Sequence, residues 1–352
     1  MYYKVDKDAQ DFVSYLKNNL KTWSGGCYDT LTTFCNAAVC GAIFGISSES
    51  IFDSPFLSMA IRVNKPTFIS NLKFTIMSMS PRLTKLFNIQ IFKQYEGFFI
   101  GAVTKVISER EKDNVKRHDF ADVCLNIRKN GVMRDPVTGY QLEPTYEVLS
   151  AQAMFFLLAG VEPVVIAMFS TLIELGRNQD ILEKVQQEID EHFEKNNNQI
   201  TYDVISEMKY VDKVMCEALR MNPPIGVLIR ECMQNTVLPV GSIQVEKGTK
   251  IFLPVYPVHH DPEFYEDPHV FNPERFNNVS KLGDELYMPF GLGNRMCIGA
   301  RYSKLQMAAG LVHVLRHFTV KTKELGSPKF KRHLNNVVQI NVDVEFIPRN
   351  IK

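Results

Sequence analysis

The sequence predicts a mainly α protein with a small β component, and three features carry that prediction. Apolar residues recur at helical spacing through most of the chain up to residue 221. A Pro- and Gly-rich stretch from Pro223 to Asn294 breaks that spacing into short strands and turns. Residues 338–346 alternate, with Val338, Ile340, Val342, Val344 and Phe346 set against Gln339, Asn341, Asp343 and Glu345, as a half-buried antiparallel strand does. The 352 residues are 45% hydrophobic and 22% charged, enough to bury a sizeable core. With no internal repeat and no dividing linker, residues 1–352 read as one domain. Forty basic residues against 39 acidic ones leave a charge of +1, which argues against a nucleic-acid-binding module.

Taken in order, Ala9, Phe12, Val13, Leu16 and Leu20 predict a helix over 6–22, ended by Gly25-Gly26. Leu31, Phe34, Cys35, Ala38 and Val39 predict a second. Residues 47–90, punctuated by Pro55, Pro66 and Pro81, read as irregular chain with short helical pieces. Tyr95 to Val106 form a strong helix that runs into Glu109–Asp119, read as a solvated helix end. A polar loop over 131–146 precedes a long helix from about 147 to 176. Its apolar run, Ala151 to Ile173, is long enough to span a bilayer, but Glu162 and Pro163 favour a buried helix. Further helices run to the Asn196–Asn198 cluster, over roughly 203–221, and after Cys297. Nothing in the opening MYYKVDKDAQ suggests a signal peptide or anchor at this end.

The chemistry concentrates near Cys297. Seven cysteines without a CxxC pair read as reduced thiols, one of them available for chemistry. Phe290 to Gly299 reads FGLGNRMCIG, that is FxxGxRxCxG, directly before a helix. As an axial haem ligand, the thiolate of Cys297 would be held ionised by the free N–H groups at that helix start. Gly293 and Gly299 would let backbone approach a flat porphyrin, Arg295 would reach a propionate, and Phe290 would shield the sulfur. His259-His260 and the pair His313/His317 lack companions at ligand spacing. The first pair reads as structural and the second as part of a solvated face.

This decapeptide resembles the haem-binding loop of the cytochrome P450 family in its microsomal, insect-like form. Glu217-Ala218-Leu219-Arg220 resembles the family's ExxR, and Phe271-Asn272-Pro273-Glu274-Arg275-Phe276 its PERF segment. The resemblance implies the cytochrome P450 fold, haem b with a Cys297 thiolate on iron, and a Glu217–Arg220–Arg275 network beneath the cysteine loop. It implies Arg230 and Arg295 as propionate partners. Ala159, Gly160 and Glu162 would serve the oxygen-binding segment, and Phe155, Phe156, Ile225, Val227 and Leu228 the substrate pocket. It further implies an NADPH-dependent reductase as electron donor, a lipophilic small-molecule substrate, and the cytosolic face of the endoplasmic reticulum membrane.

Two departures qualify this. Pro163 stands where the family's oxygen-binding segment carries a threonine, so a proton-relaying hydroxyl is lost while a kink and the freed Ala159 carbonyl survive. At the front, the anchor, the first sheet and an early WxxxR contact have no counterpart; Trp23 is followed by Cys27 four residues on. The chain therefore reads as N-terminally truncated, with membrane association left to the missing segment and to peripheral apolar surface. Three functions remain open: a haem-thiolate monooxygenase, a haem-thiolate isomerase or lyase acting on pre-oxygenated substrates, and a non-catalytic truncated product.

Overall fold

The computed structural model describes residues 2–19, 26–45, 58–59, 62–63, 67–113, 116–278, 285–327, 329–333 and 336–350; Leu20, Trp23, Gly25, Pro55 and Pro66 lie outside them. Helix α1 (Tyr2–Asn19) buries Val5, Ala9, Phe12, Val13 and Leu16, one stripe at helical period. Gly26 opens α2 (Gly26–Phe44) where the sequence suggested a helix end. Its φ of +73° turns the chain, and the next N–H, of Cys27, donates to Asp343 at 2.9 Å. Two helices occupy part of the stretch read as irregular: α3 (Phe68–Met79), started by a Thr67/Ser70 capping box, and α4 (Pro81–Leu86). Pro81 stands at the start of α4, where its missing N–H leaves no bond unmade.

Helix α5 (Glu96–Asp113) runs into the charged segment, whose described residues are exposed as expected except at Arg110 and Asp119. Arg110 is buried and donates to Asp119 at 2.5 Å and Asp122 at 2.8 Å, with Lys4 of α1 3.6 Å from Asp119. A guanidinium can leave water here because two carboxylates meet it. Asp119 also caps α6 (Phe120–Asn130), a helix the sequence reading passed over, which Gly131 ends at φ +76°. A short hairpin, β1 (Met133–Arg134) with β2 (Gln141–Leu142), crosses the polar loop.

Helix α7 (Tyr146–Arg177) is capped by Thr145 and continues through Pro163. Among the described residues it is the one helix long and apolar enough to cross a membrane, yet 67% of that apolar window is buried inside the protein. It is the core element, packed on α2, on α5 and on the helices that follow. Gly160 lets α2 close in: a Cβ there would lie 3.1 Å from Val39. After α8 (Gln179–Lys195), the single helix expected over 203–221 is two, α9 (Tyr202–Glu207) and α10 (Lys209–Met221), separated at Met208. The Glu188 carboxylate accepts the N–H groups of Tyr210 and Val211 at 2.9 and 2.8 Å, which satisfies donors at the new helix start.

The β component is a set of antiparallel pairs. Strand β3 (Leu228–Glu231) pairs with β6 (Lys250–Leu253), and β4 (Thr236–Val237) with β5 (Gln244–Val245). Short helix α11 (Val255–His259) and long α12 (Ala300–His317) lead to β7 (Phe318–Glu324), β8 (Phe330–His333), β9 (Asn336–Gln339) and β10 (Val342–Pro348). The alternating run 338–346 is therefore not one strand. It splits between β9, paired with β8, and β10, paired with β7. Asn341 marks the break, accepting from Leu325 N–H through its carbonyl and from Lys329 N–H through its side chain. The solvated-face reading of His313 and His317 is also overturned. His313 is buried with Nε2 2.7 Å from Asp6 of α1, and its ring meets Phe193 of α8 edge-on. His317, one turn on, is half-buried.

Candidate haem-thiolate site

The segment Phe290–Gly299 is a tight backbone loop that delivers Cys297 to the head of α12. Gly291 and Gly293 take φ values of +73° and +70°, which side chains resist. Cys297 N–H donates to the Phe290 carbonyl at 2.8 Å and Met296 N–H to Gly293 at 3.1 Å, closing the loop on itself. Of the seven cysteines, Cys27, Cys35, Cys40, Cys124 and Cys216 are buried, Cys232 is half-buried, and Cys297 is exposed. Burial pushes the buried thiols up, Cys124 to about 12, which holds them protonated. Cys297 alone combines access with a position three residues ahead of a helix start. At Gly299 a Cβ would lie 3.9 Å from its sulfur.

The helix α10 carries an ion network in which Glu217 and Arg220 are wholly buried and Arg275 is half-buried. Arg220 donates to Glu217 through Nε at 2.7 Å and Nη2 at 2.9 Å, and to the carbonyls of His259 and Pro268 at 2.6 and 2.8 Å. Glu217 also accepts from Arg275 Nε at 3.3 Å and from Asn272 N–H at 3.0 Å. Each charge thus has several partners, the condition under which a buried pair survives desolvation. The i, i+3 spacing on α10 puts Glu217 and Arg220 on one face.

The structural reading of His259 holds, although its partners could not be read from the sequence. His259 is wholly buried, its Nδ1 3.1 Å from the Arg220 carbonyl, while its Nε2 accepts Met288 N–H at 3.1 Å. Those partners require the neutral Nδ1–H tautomer. Burial pushes its pKa down to about 4, only partly countered by the bond to Arg220. His259 so ties the ExxR helix to the strand of chain entering Phe290. The only signal in the sequence was its position between α10 and the PERF segment.

The other expected residues spread over α7, β3, the turn before β3 and the cysteine loop. On α7, Phe155 and Ala159 lie exposed one helical turn apart and Phe156 packs edge-on against Phe120. Gly160 turns to α2 and Glu162 is buried close enough to Tyr28 to help burial raise that phenol. On β3, Arg230 is half-buried, and Leu228 reaches within 3.5 Å of where a Gly291 Cβ would be. Ile225 and Val227 are partly exposed in the turn before it. Arg295 is exposed in the cysteine loop. A cavity of about 570 Å³ opens between α7, this turn and Phe330; of the expected pocket residues it touches Val227 only.

A family model described as Cytochrome P450 matches residues 1–347. This chain belongs to the cytochrome P450 family. It is similar to "Probable cytochrome P450 6a13" of Drosophila melanogaster, at 32% identity over 84% of this chain and 59% of that protein. It is 31% identical to "Cytochrome P450 6B7" of Helicoverpa armigera over 91% of this chain and 65% of that one. With "Cytochrome P450 9e2" of Blattella germanica the identity is 31%, over 83% and 57%. The chain thus spans roughly three fifths of the curated relatives it matches. Cytochrome P450 proteins bind haem b through an axial cysteine thiolate, and the donor set here fits that group: one accessible thiol at a helix head, beside glycines that keep the surface flat.

Proposed function

We propose that this cytochrome P450 chain is the haem-binding part of a monooxygenase that inserts one oxygen atom of O₂ into a lipophilic small molecule. Electrons would come from an NADPH-dependent reductase at the cytosolic face of the endoplasmic reticulum membrane. The observation that carries the reading is Cys297, exposed at the head of α12 on a loop whose approach, at Met288, is tied through His259 to the Glu217–Arg220–Arg275 network. Bound haem would supply the oxygen chemistry, and the residues of this chain would set its conditions. Cys297 would offer the axial thiolate from the head of α12. Phe290 would cover it, while Gly293 and Gly299 admit the porphyrin face. Arg230 and Arg295 would neutralise the propionates. Ala159 of α7 would face the reacting side, Gly160 would let α2 pack behind it, and Glu162 would assist proton delivery. Phe155, Phe156, Ile225, Val227 and Leu228 would hold the substrate by apolar contact. Helix α3, which buries none of its residues and exposes Phe68, Ile69 and Leu72, suits peripheral contact with a membrane surface.

The test is the reduced carbon-monoxide spectrum of the haem-loaded chain. The parent should give the thiolate-type band and Cys297→Ala should lose it while keeping its fold by circular dichroism. A thiolate-type band in the variant would overturn the assignment.

Pro163 favours a second reading, an isomerase or lyase that takes pre-oxygenated substrates and needs no relay hydroxyl. Pro163→Thr separates the two. A threonine there can donate to the Ala159 carbonyl as Thr171 does to Ala167 at 2.7 Å. In a monooxygenase it should raise product formed per NADPH consumed, a general-acid gain of up to roughly 10²-fold. In an isomerase, turnover should show no NADPH dependence in either form.

A further inference from the structure

Hydrogen bonds fasten the cysteine loop to the rest of the protein only at its ends. Among the described residues, every hydrogen bond made by residues 289–299 stays within the loop or reaches Met288 before it or the head of α12 after it. Gly291 N–H donates to the Met288 carbonyl at 3.0 Å, and Ser303 N–H of α12 to the Gly299 carbonyl at 2.8 Å. The exit is a long helix, so the place of Cys297 depends on what holds the entry.

Three consecutive residues at that entry are each tied down. Tyr265 Oη donates to the Leu286 carbonyl at 3.2 Å, Tyr287 Oη to the Cys216 carbonyl at 3.1 Å, and Met288 N–H to His259 Nε2 at 3.1 Å. The rings that make these bonds also pack on one another. His259 stacks on Tyr287 with centroids 5.7 Å and planes 20° apart, and Tyr265 stands edge-on to it at 6.2 Å. The Arg220 guanidinium lies 5.1 Å over the Tyr265 ring. His259 is the centre of this cluster because its two nitrogens do opposite work, Nδ1–H donating to the Arg220 carbonyl while Nε2 accepts Met288 N–H. An apolar ring of the same size would leave both backbone groups unmet. Met288 is the joint. Its N–H is held by His259, its carbonyl accepts Gly291 N–H, and two residues on the Phe290 carbonyl accepts Cys297 N–H at 2.8 Å.

We infer that His259, braced by Tyr265 and Tyr287, is a positioning residue for Cys297, acting through Met288 to fix where the loop presents its sulfur. The consequence for haem rests on the proposed reading of Cys297 as the axial ligand; the fastening of the loop does not. With its entry released, the loop would no longer hold the sulfur at one place, and the thiolate signature of the bound group would decay.

The experiment is hydrogen–deuterium exchange, read by mass spectrometry on the haem-loaded full chain, with the reduced carbon-monoxide spectrum followed over time. His259→Phe keeps the stacked ring and removes both nitrogens. It should speed exchange in peptides covering 286–299 by about tenfold, leave the α1 peptides unchanged, and shorten the life of the thiolate-type band by a similar factor. His259→Gln, whose amide can both donate and accept, should bring both readings most of the way back. Tyr265→Phe loses one hydroxyl and should speed the same peptides by about threefold. Gln186→Leu is the control for general loosening, since it breaks bonds to the Leu315 and Phe318 carbonyls at the far end of α12; loop exchange there should match the parent. Loop exchange at the parent's rate in His259→Phe would overturn the assignment. So would a Gln variant as fast as the Phe variant, or loop exchange in Gln186→Leu raised as much as in His259→Phe. Should His259→Phe not fold, Tyr265→Phe decides, and an unchanged loop in it counts against the clamp. A parent without the thiolate-type band, but with loop exchange responding as described, would sink the haem-thiolate reading and leave the fastening of the loop standing.

Discussion

Glu217 illustrates how much a single carboxylate can organise. It takes hydrogen bonds from Arg220, from Arg275 and from the backbone of Asn272, and no part of it reaches solvent. Replacing it by alanine leaves two guanidinium groups facing a low-dielectric interior, at a cost of about 3–5 kcal/mol. Urea unfolding should show Glu217→Ala destabilised by that amount, and a variant as stable as the parent would contradict the network's role. The pair was legible in the sequence because its two members share one turn of helix and sit in a motif. His259 was not, because its partners are backbone groups of Arg220 and Met288, and backbone groups leave no trace in side-chain spacing. Arg110 was misread for a related reason. A run of charges looks solvated until a turn folds Asp119 and Asp122 back onto one of its members.

At the scale of elements, periodicity served best where one face meets water. Helix α1 follows its apolar stripe closely. The failures came where local chemistry cuts across the period. Met208 divides one amphipathic stretch into α9 and α10, and Asn341 divides one alternating stretch into β9 and β10. The close contacts between helices were invisible too, since they depend on what is missing from a side chain. Gly310 of α12 is the sharpest case: a Cβ there would lie 2.5 Å from Met168 of α7 and 2.7 Å from Phe34 of α2. Gly310→Ala should therefore destabilise the fold by about 1–3 kcal/mol through overpacking, although alanine is the better helix former by about 1 kcal/mol. A variant more stable than the parent in thermal melts would show that the three helices have room to part.

For the whole molecule, buried histidines set the acid limit. The folded state holds His259 neutral with a pKa of about 4, below its ordinary value of 6.5. Above pH 6.5 the group has no effect on the balance. As the pH falls from 6.5 towards 4 the unfolded chain takes up a proton that the folded chain refuses, and roughly 3 kcal/mol of stability is lost. His317, also pushed to about 4 by burial, steepens the same window. Urea midpoints measured between pH 7 and pH 4 should fall along this slope, and His259→Gln should flatten it; an unchanged slope would exclude His259 as the cause. The Glu217–Arg220 network has a consequence in time as well. Glu217 and Arg220 leave the ribosome within three residues of each other, but Pro268 and Arg275 follow 48 and 58 residues behind the partners they bind. At translation rates of 5–20 residues per second, the half-built pair waits about 3–12 seconds in solvent before its cage arrives. The cysteine loop emerges only after that cage is complete, so the order of synthesis itself defers capture of the cofactor until there is a frame to receive it.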